Sequence, residues 1–461
     1  LLLALLPGDL PRAAETQIDR SVLGFCTALS LLTALLSGAL PALATTRRDP
    51  ATALREGGRG LLAGGGRLGP GLVVAEVALA VTLLVGAGLL LRSFSQLRGV
   101  DPGFETPKAL TFRTALPEAV YAEDDRRVTF YRSLEERLLA LPGVAAVGSS
   151  VALPLTDTYF RFAFEVEGRP SLPPAHQPNL EVRTVTPGYF RAIGIPVLAG
   201  RVFTDEDTAS APQVAVLSRE AVRRHFPDED PLGKRITLGW GGGPGRPRAG
   251  GVVVGVVDDV KDHGLAEEHP AEIYLPHAQR PTLNMTAVVR TLGNPRPLAA
   301  AARTVLHGLD PNLPLLRVQT LEDIVARSIA RPRFFAFLLA AFAAMALGLA
   351  ALGVFGVLSY SVARRSREIG VRLALGARPG DVLRMVVAEA MRLVTAGLVL
   401  GLGAALVLAR SLASLLFGLG PNDPATLGGA TLVLAAAALA ACALPSWRAA
   451  RLDPLQALRT E

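Results

Sequence analysis

The sequence predicts a membrane α-helical protein of about five transmembrane helices carrying one large extracytoplasmic α+β domain. Three observations point there: five long apolar runs, a stretch of soluble-protein composition between the second and third, and arginines gathered in alternate short loops. The 461 residues are 50% hydrophobic and 19% charged, against roughly 25% charged residues in soluble domains. Disorder, collagen and small disulfide scaffolds are excluded. Cys26 and Cys442 both lie inside apolar runs, so neither a disulfide framework nor a zinc site is available. No basic segment leads into a small-residue cleavage site, so no signal peptide is read.

Taken in order, residues 1–21 are expected outside the membrane, followed by apolar runs at 22–44, 71–91, 334–358, 385–409 and 425–445. Crossing a bilayer takes about 20 mostly apolar residues, and core helices of soluble proteins rarely run so long without a charged face. Glu76 lies one turn into the second run, and Glu389 and Arg392 lie near the start of the fourth, three apart and able to pair on one helix face. For Glu76 a proton-carrying role is weighed against helix packing near the interface, which is the expectation. Orientation follows from the short loops. Segment 45–70 holds Arg47, Arg48, Arg55, Arg59 and Arg67, and segment 359–384 holds Arg364, Arg365, Arg367, Arg372, Arg378 and Arg384. The tail 446–461 adds Arg448, Arg451 and Arg459, whereas loop 410–424 has only Arg410. The three basic segments are therefore expected in the cytoplasm, with 92–333 outside.

An internal repeat supports this division. The pattern A-L-P-x5-R-x-D-P-x2-A-L-R begins at Ala39 and again at Ala443, with Pro41 matching Pro445 at a spacing of 404 residues. Nine agreeing positions at one spacing read as a duplication. The first run would then close an earlier module whose front is missing from this sequence, and a complete second module would follow from about Gly71.

Within 92–333, Val128, Tyr131, Leu134 and Leu138 recur at helical spacing across 122–140. Phe160, Phe162, Phe164 and Val166 alternate with polar residues as a half-buried strand does. Residues 213–217 and 251–257 are further strands, Ser218 is a helix N-cap, and 239–251 is a Gly/Pro-rich loop. The mixed order predicts two α+β lobes. No catalytic motif emerges. Asp258, Asp259, Asp262, His263, Glu267, Glu268 and His269 fit no calcium loop or H-E-x-x-H helix and read as a solvated acidic turn. Gly233 and Lys234 look like the end of a P-loop, but Asp228 stands where its first Gly belongs and Arg235 where Ser or Thr belongs.

The segment from Arg364 reads R-R-S-R-E-I-G-V-R-L-A-L-G-A-R-P-G-D. Arg365, Glu368 and Arg372 share a helical face, with Ile369, Leu373 and Ala377 as an apolar stripe beside it. Residues 376–380 break the helix, and Asp381 can cap the next. Periodicity alone leaves open whether this helix lies in lipid headgroups or docks on a protein.

The same segment resembles the cytoplasmic signature of MacB/FtsX-type ABC transporter permeases. T-P-G-Y-F-R-A-I-G-I-P-V-L-A-G-R from Thr186, D-P-L-G-K-R-I from Asp230 and V-V-G-V-V-D-D-V-K-D from Val253 resemble that family's periplasmic core domain. The run from Leu72, with D-P-G-F at Asp101, resembles its duplicated branch found in Acidobacteria. The resemblance implies a permease in the bacterial inner membrane that couples ATP hydrolysis by a separate subunit to export or extracytoplasmic mechanotransmission. It also implies a MacB-type ATPase partner carrying ATP and Mg, a second permease module (an own first module or another copy) and a periplasmic adaptor. The chain itself would bind no cofactor or metal, catalyse nothing and touch no nucleic acid. The ATPase-coupling role maps onto Arg364, Arg365, Arg367, Glu368, Ile369, Gly370, Arg372, Leu373, Gly376 and Ala377. The competing reading is a membrane scaffold whose outer domain regulates an envelope hydrolase without transport. A membrane-anchored enzyme is disfavoured by the missing nucleophile and metal motifs.

Charge placement agrees with this topology. Residues 93–333 hold 28 basic and 28 acidic side chains, so the chain's entire +7 lies elsewhere.

Overall fold

The computed structural model describes residues 20–46, 68–156, 159–170, 172–242, 248–375, 378–411, 416–420 and 422–450. It falls into two compact units, residues 97–330 and the remainder.

The helical unit opens with α1 (Arg20–Thr46) and α2 (Leu68–Arg98). The other unit then runs β1 (Ala109–Ala115), α3 (Asp124–Leu139), β2 (Val144–Ser150), β3 (Arg161–Val166), β4 (Asn179–Val185), α4 (Tyr189–Ile193) and β5 (Val197–Gly200). It continues with β6 (Val214–Ser218), α5 (Arg219–His225), β7 (Arg235–Leu238), β8 (Gly250–Val257), β9 (Glu272–Pro276) and β10 (Asn284–Thr291). α6 (Leu298–Leu309), β11 (Leu316–Thr320) and α7 (Leu321–Ser328) complete it. The helical unit resumes with α8 (Ala330–Arg364), α9 (Ser366–Ala374), α10 (Pro379–Ser411) and α11 (Pro424–Ala450).

Among the described residues, four helices are long and apolar enough to cross a membrane: α2, α8, α10 and α11. The first expected run, 22–44, forms the 27-residue α1, whose described side chains reach Leu32 and then include only Leu35. The repeat extends into this helix. Thr27 donates to the Leu23 carbonyl at 2.8 Å, and Thr431, 404 residues on, donates to the Leu427 carbonyl at 2.8 Å. The basic halves of both repeat copies lie outside the described residues.

The helices pack through small side chains. Thr82 on α2 donates to the Gly401 carbonyl of α10 at 3.2 Å. A Cβ at Gly401 would stand 2.6 Å from the Ala78 oxygen, so only glycine permits that approach. Gly353 of α8 likewise leaves room for the Glu76 carboxyl, whose Oε2 is buried without a hydrogen bond. The Glu76 carboxyl thus lies in the seam between α2 and α8.

The unit at 97–330 is the α+β domain the sequence predicts, built on two regions of sheet. In one, β11, β1, β10 and β2 form an antiparallel sheet. Phe112, Tyr131, Leu134, Val289 and Leu306 join it to α3 and α6 in one core. In the other, β4, β3, β7, β8, β6 and β9 pair in sequence, and β9 returns to β4 in parallel register. This closed ring leaves none of its six strands with an unpaired edge inside the circuit. A single pairing, Ser150 with Val185, links β2 to the ring. Next to it the T-P-G-Y-F motif explains itself. Gly148 and Gly188 lie backbone against backbone, and a Cβ on either would overlap the other's chain. The turn is fixed by Ser149 N donating to Thr186 Oγ1 at 2.8 Å and Tyr189 N donating to the Thr186 carbonyl at 3.1 Å.

Candidate functional site

The segment singled out by the sequence is the short helix α9, between α8 and α10. The chain turns into it with Arg365 N donating to the Ser361 carbonyl at 3.1 Å and Ile369 N to the Arg365 carbonyl at 2.8 Å. Leu375 N reaches the Val371 carbonyl at 2.9 Å and closes the last turn. Asp381 caps α10 as expected. Its Oδ2 accepts from Arg378 N at 3.2 Å, while its own N–H donates to the Arg378 carbonyl at 2.9 Å. An acid three residues into a helix satisfies a donor that has no partner within the helix.

Contacts at Ile369 and at Arg365, just before the helix, hold α9 to its own unit. Ile369 is 1% exposed and packs in the cluster that contains Val382, Val386 and Ala390 of α10. Arg365 Nη1 donates to Glu389 Oε2 at 3.0 Å. Both observations correct the sequence reading. The coupling role mapped onto Ile369, yet its side chain is buried in the cluster that α2, α8, α10 and α11 share, because apolar period identifies a stripe without saying which neighbours cover it. Glu389 was expected to pair with Arg392; its partner is Arg365, brought close by the turn between α9 and α10.

The outward face carries other residues. Glu368 and Arg372 are exposed and joined by a 2.7 Å ion pair one turn apart. Arg372 Nη1 also reaches Met385 Sδ at 2.8 Å. Beside them Val371 is 41% and Leu375 82% exposed. Arg364 is exposed and Gly370 buried. Arg367 and Leu373 belong to α9, but their side chains, like Gly376 and Ala377, lie outside the described residues. Sequence reasoning missed Val371 and Leu375. Their spacing of four was legible, yet it competed with the stripe through Ile369, and only packing decides between the two.

The second candidate, the acidic turn after β8, divides. Glu267 and Glu268 are exposed as expected, whereas Asp262 is buried and ion-paired with Arg183 of β4. Arg183 Nε also donates to Glu272 Oε1 at 2.7 Å, and Tyr274 OH donates to Glu272 Oε2 at 2.6 Å. Burial pushes Glu272 up to about 7 despite that guanidinium. Glu135 and His277 are among the other titratable groups of this unit that lie off their ordinary values. Burial raises Glu135 to about 7, although Ser149 Oγ and Thr186 Oγ1 donate to it at 2.6 and 2.7 Å. Burial also lowers His277 to about 4, and its Nε2 accepts from Thr282 N at 3.2 Å.

Two family descriptions match this chain. The MacB-like periplasmic core domain covers residues 71–305, half of the chain, and the FtsX-like permease C-terminal region covers 340–454. The chain belongs to the MacB/FtsX-type ABC permease family. The second match contains α9, α10 and α8 from residue 340 onward; the first contains the six-stranded ring.

Among similar proteins is the macrolide export ATP-binding/permease protein MacB of Sodalis glossinidius, 30% identical over 307 residues, 61% of this chain and 44% of that protein. The pyoverdine export ATP-binding/permease protein PvdT of Pseudomonas savastanoi pv. phaseolicola is 28% identical over 282 residues, 58% of this chain and 40% of that protein. The chain thus spans less than half the length of these relatives. The periplasmic region of MacB from Actinobacillus actinomycetemcomitans is similar at 16% identity and TM-score 0.33, over 50% of this chain and 95% of that one.

Proposed function

We propose that this MacB/FtsX-type permease couples ATP hydrolysis on a separate ATPase to export or mechanical work outside the membrane, with α9 as its docking element. The single observation that carries the reading is the division of α9: Ile369 inward, and Glu368, Val371, Arg372 and Leu375 outward. A helix so fixed transmits a push instead of absorbing it. The outward row offers a charge pair and two apolar side chains, the composition of a small protein-binding face. Export by the relatives named above supports the same direction. ATP and Mg would belong to the ATPase, and a second permease module and a periplasmic adaptor would complete the assembly. The arginine-rich segments 45–70, 359–384 and 446–461 support placing α9 on the cytoplasmic side of the inner membrane.

The test is ATP turnover by a MacB-type ATPase encoded beside this chain, reconstituted with it in nanodiscs. Wild-type permease should raise turnover several-fold, and Glu368→Arg with Leu375→Asp should return it to the level of the ATPase alone. Unchanged stimulation by the double variant would remove α9 from the coupling path.

A further inference from the structure

The loop after β8 and the strand β4 bring together three potential metal ligands that lie far apart in sequence: Glu181, Asp262 and His263. A donor atom from each lies within 4.8 Å of the other two. Parallel pairing explains the approach. Glu181 stands opposite Glu272 in the β4–β9 register, and the loop leading into β9 carries Asp262 and His263 over the same end of β4.

The surroundings are those of a site short of positive charge. Glu181, Asp262 and Glu272 are all buried, and the one buried guanidinium among them is Arg183. Arg161 approaches from the solvent side, 55% exposed, and donates to Glu181 Oε1 at 2.7 Å. Three carboxylates share two guanidiniums here, and ionising all three in a desolvated place is costly unless something neutralises the third. Glu181 adds an independent sign. Its side chain is 4% exposed, yet its Oε2 is buried with no hydrogen-bond partner. A carboxylate oxygen in that state lacks a donor or a cation.

His263 completes the set. Its Nε2 lies 2.8 Å from Glu181 Oε1, and the Tyr159 ring packs edge-on against the imidazole at 4.7 Å. The side chain is 20% exposed, so the trio opens to solvent at His263. Arg161, bonded to Glu181, and Arg183, bonded to Asp262 and Glu272, would act as the outer hydrogen-bonding groups that orient metal ligands.

We propose that Glu181, Asp262 and His263 form a binding site for a divalent transition-metal ion, Zn2+ by ligand type, with water in the remaining position. One imidazole and two carboxylates suit Zn2+ at bond lengths of about 2.0–2.2 Å, whereas Ca2+ and Mg2+ prefer oxygen alone. Side-chain rotation about β4 and the loop would part His263 from Glu181 and admit the ion. The bound ion would satisfy Glu181 Oε2, offset the surplus charge and tie the β8–β9 loop to β4. That is a structural role, separate from the docking role of α9.

The test uses the full chain in detergent, with any affinity tag removed, stripped by a chelator and titrated with Zn2+ alone. One equivalent should bind, and Co2+ in its place should give the visible absorption of a tetrahedral site containing nitrogen. His263→Gln should weaken Zn2+ binding at least tenfold, while Glu267→Gln and Glu268→Gln, on the neighbouring exposed turn, should leave it unchanged. Absence of a stoichiometric ion, or equal affinity in wild type and His263→Gln, would overturn the proposal. The Co2+ spectrum is read on the wild type, so misfolding of a variant cannot obscure the answer.

Discussion

In the helical unit most buried positions are Val or Ala, such as Val73, Val77, Ala80, Ala350, Ala390 and Ala405, beside Leu89, Leu358, Ile369 and Leu434, and the buried polar residues among those described are Ser93, Thr426 and Ser446. In the unit at 97–330 the largest buried side chains are Tyr131, Tyr189, Tyr274, Phe112 and Phe190, and Glu181, Arg183, Asp207, Glu220, Asp262 and Glu272 are buried with them. One chain thus follows two packing rules. Lipid offers helices little hydrophobic gain on association, so small residues that let backbones touch are what hold them together. Water rewards the burial of large aromatic surface, and that gain can carry a charged network inside. The arrangement of charge therefore separates the units more sharply than mean hydropathy does.

The largest effect that would sharpen this contrast is Arg183→Met. It leaves Asp262 and Glu272 buried without their guanidinium and should cost about 3–5 kcal/mol. Thermal unfolding of the detergent-solubilised chain should show a lower transition for the unit at 97–330 while the helices stay folded. Gly401→Val tests the other rule. Its side chain would meet the Ala78 backbone at 2.6 Å, and overpacking of this kind costs about 1–3 kcal/mol. Loss of monodisperse protein on gel filtration, with the other unit still folded, is the expected result.

A smaller effect comes from Glu135. Its carboxyl is raised from 4.5 to about 7 in the folded chain, so the folded state binds the extra proton between those values. Its stabilising contribution is full below about pH 4.5 and is lost as pH rises through 7. Glu135→Gln should flatten that part of the stability profile and raise the melting temperature at pH 8. A wild-type slope that survives the substitution would assign it elsewhere. Arg365→Ala should do least to stability, below about 1 kcal/mol, because Arg365 and Glu389 are 47% and 40% exposed. Its expected consequence is weaker stimulation of the ATPase with little change in melting.

Much of the fold is legible in the sequence because its determinants are local. Apolar length marks the four spans, alternation marks β3, and Ser218 announces α5 by accepting from Ala221 N. What stays hidden depends on contacts between distant residues. The closure of the ring through β4 and β9 leaves no mark in either strand, and with it goes the meeting of Glu181 with Asp262 across 81 positions. The site at α9 shows the same limit at short range. Its position and charge pair are evident from R-x-R-E-I-G-V-R, but which side of Ile369 faces inward is settled only by α10.

The account rests on that orientation, and site-specific photo-crosslinking measures it directly. A photoreactive residue placed at Leu375, and separately at Ile369, is illuminated in nanodiscs holding the permease and its ATPase. Capture of the ATPase from position 375, with only intramolecular products from 369, is the predicted result. Capture from 369, or from neither position under conditions where ATP turnover is stimulated, would contradict it.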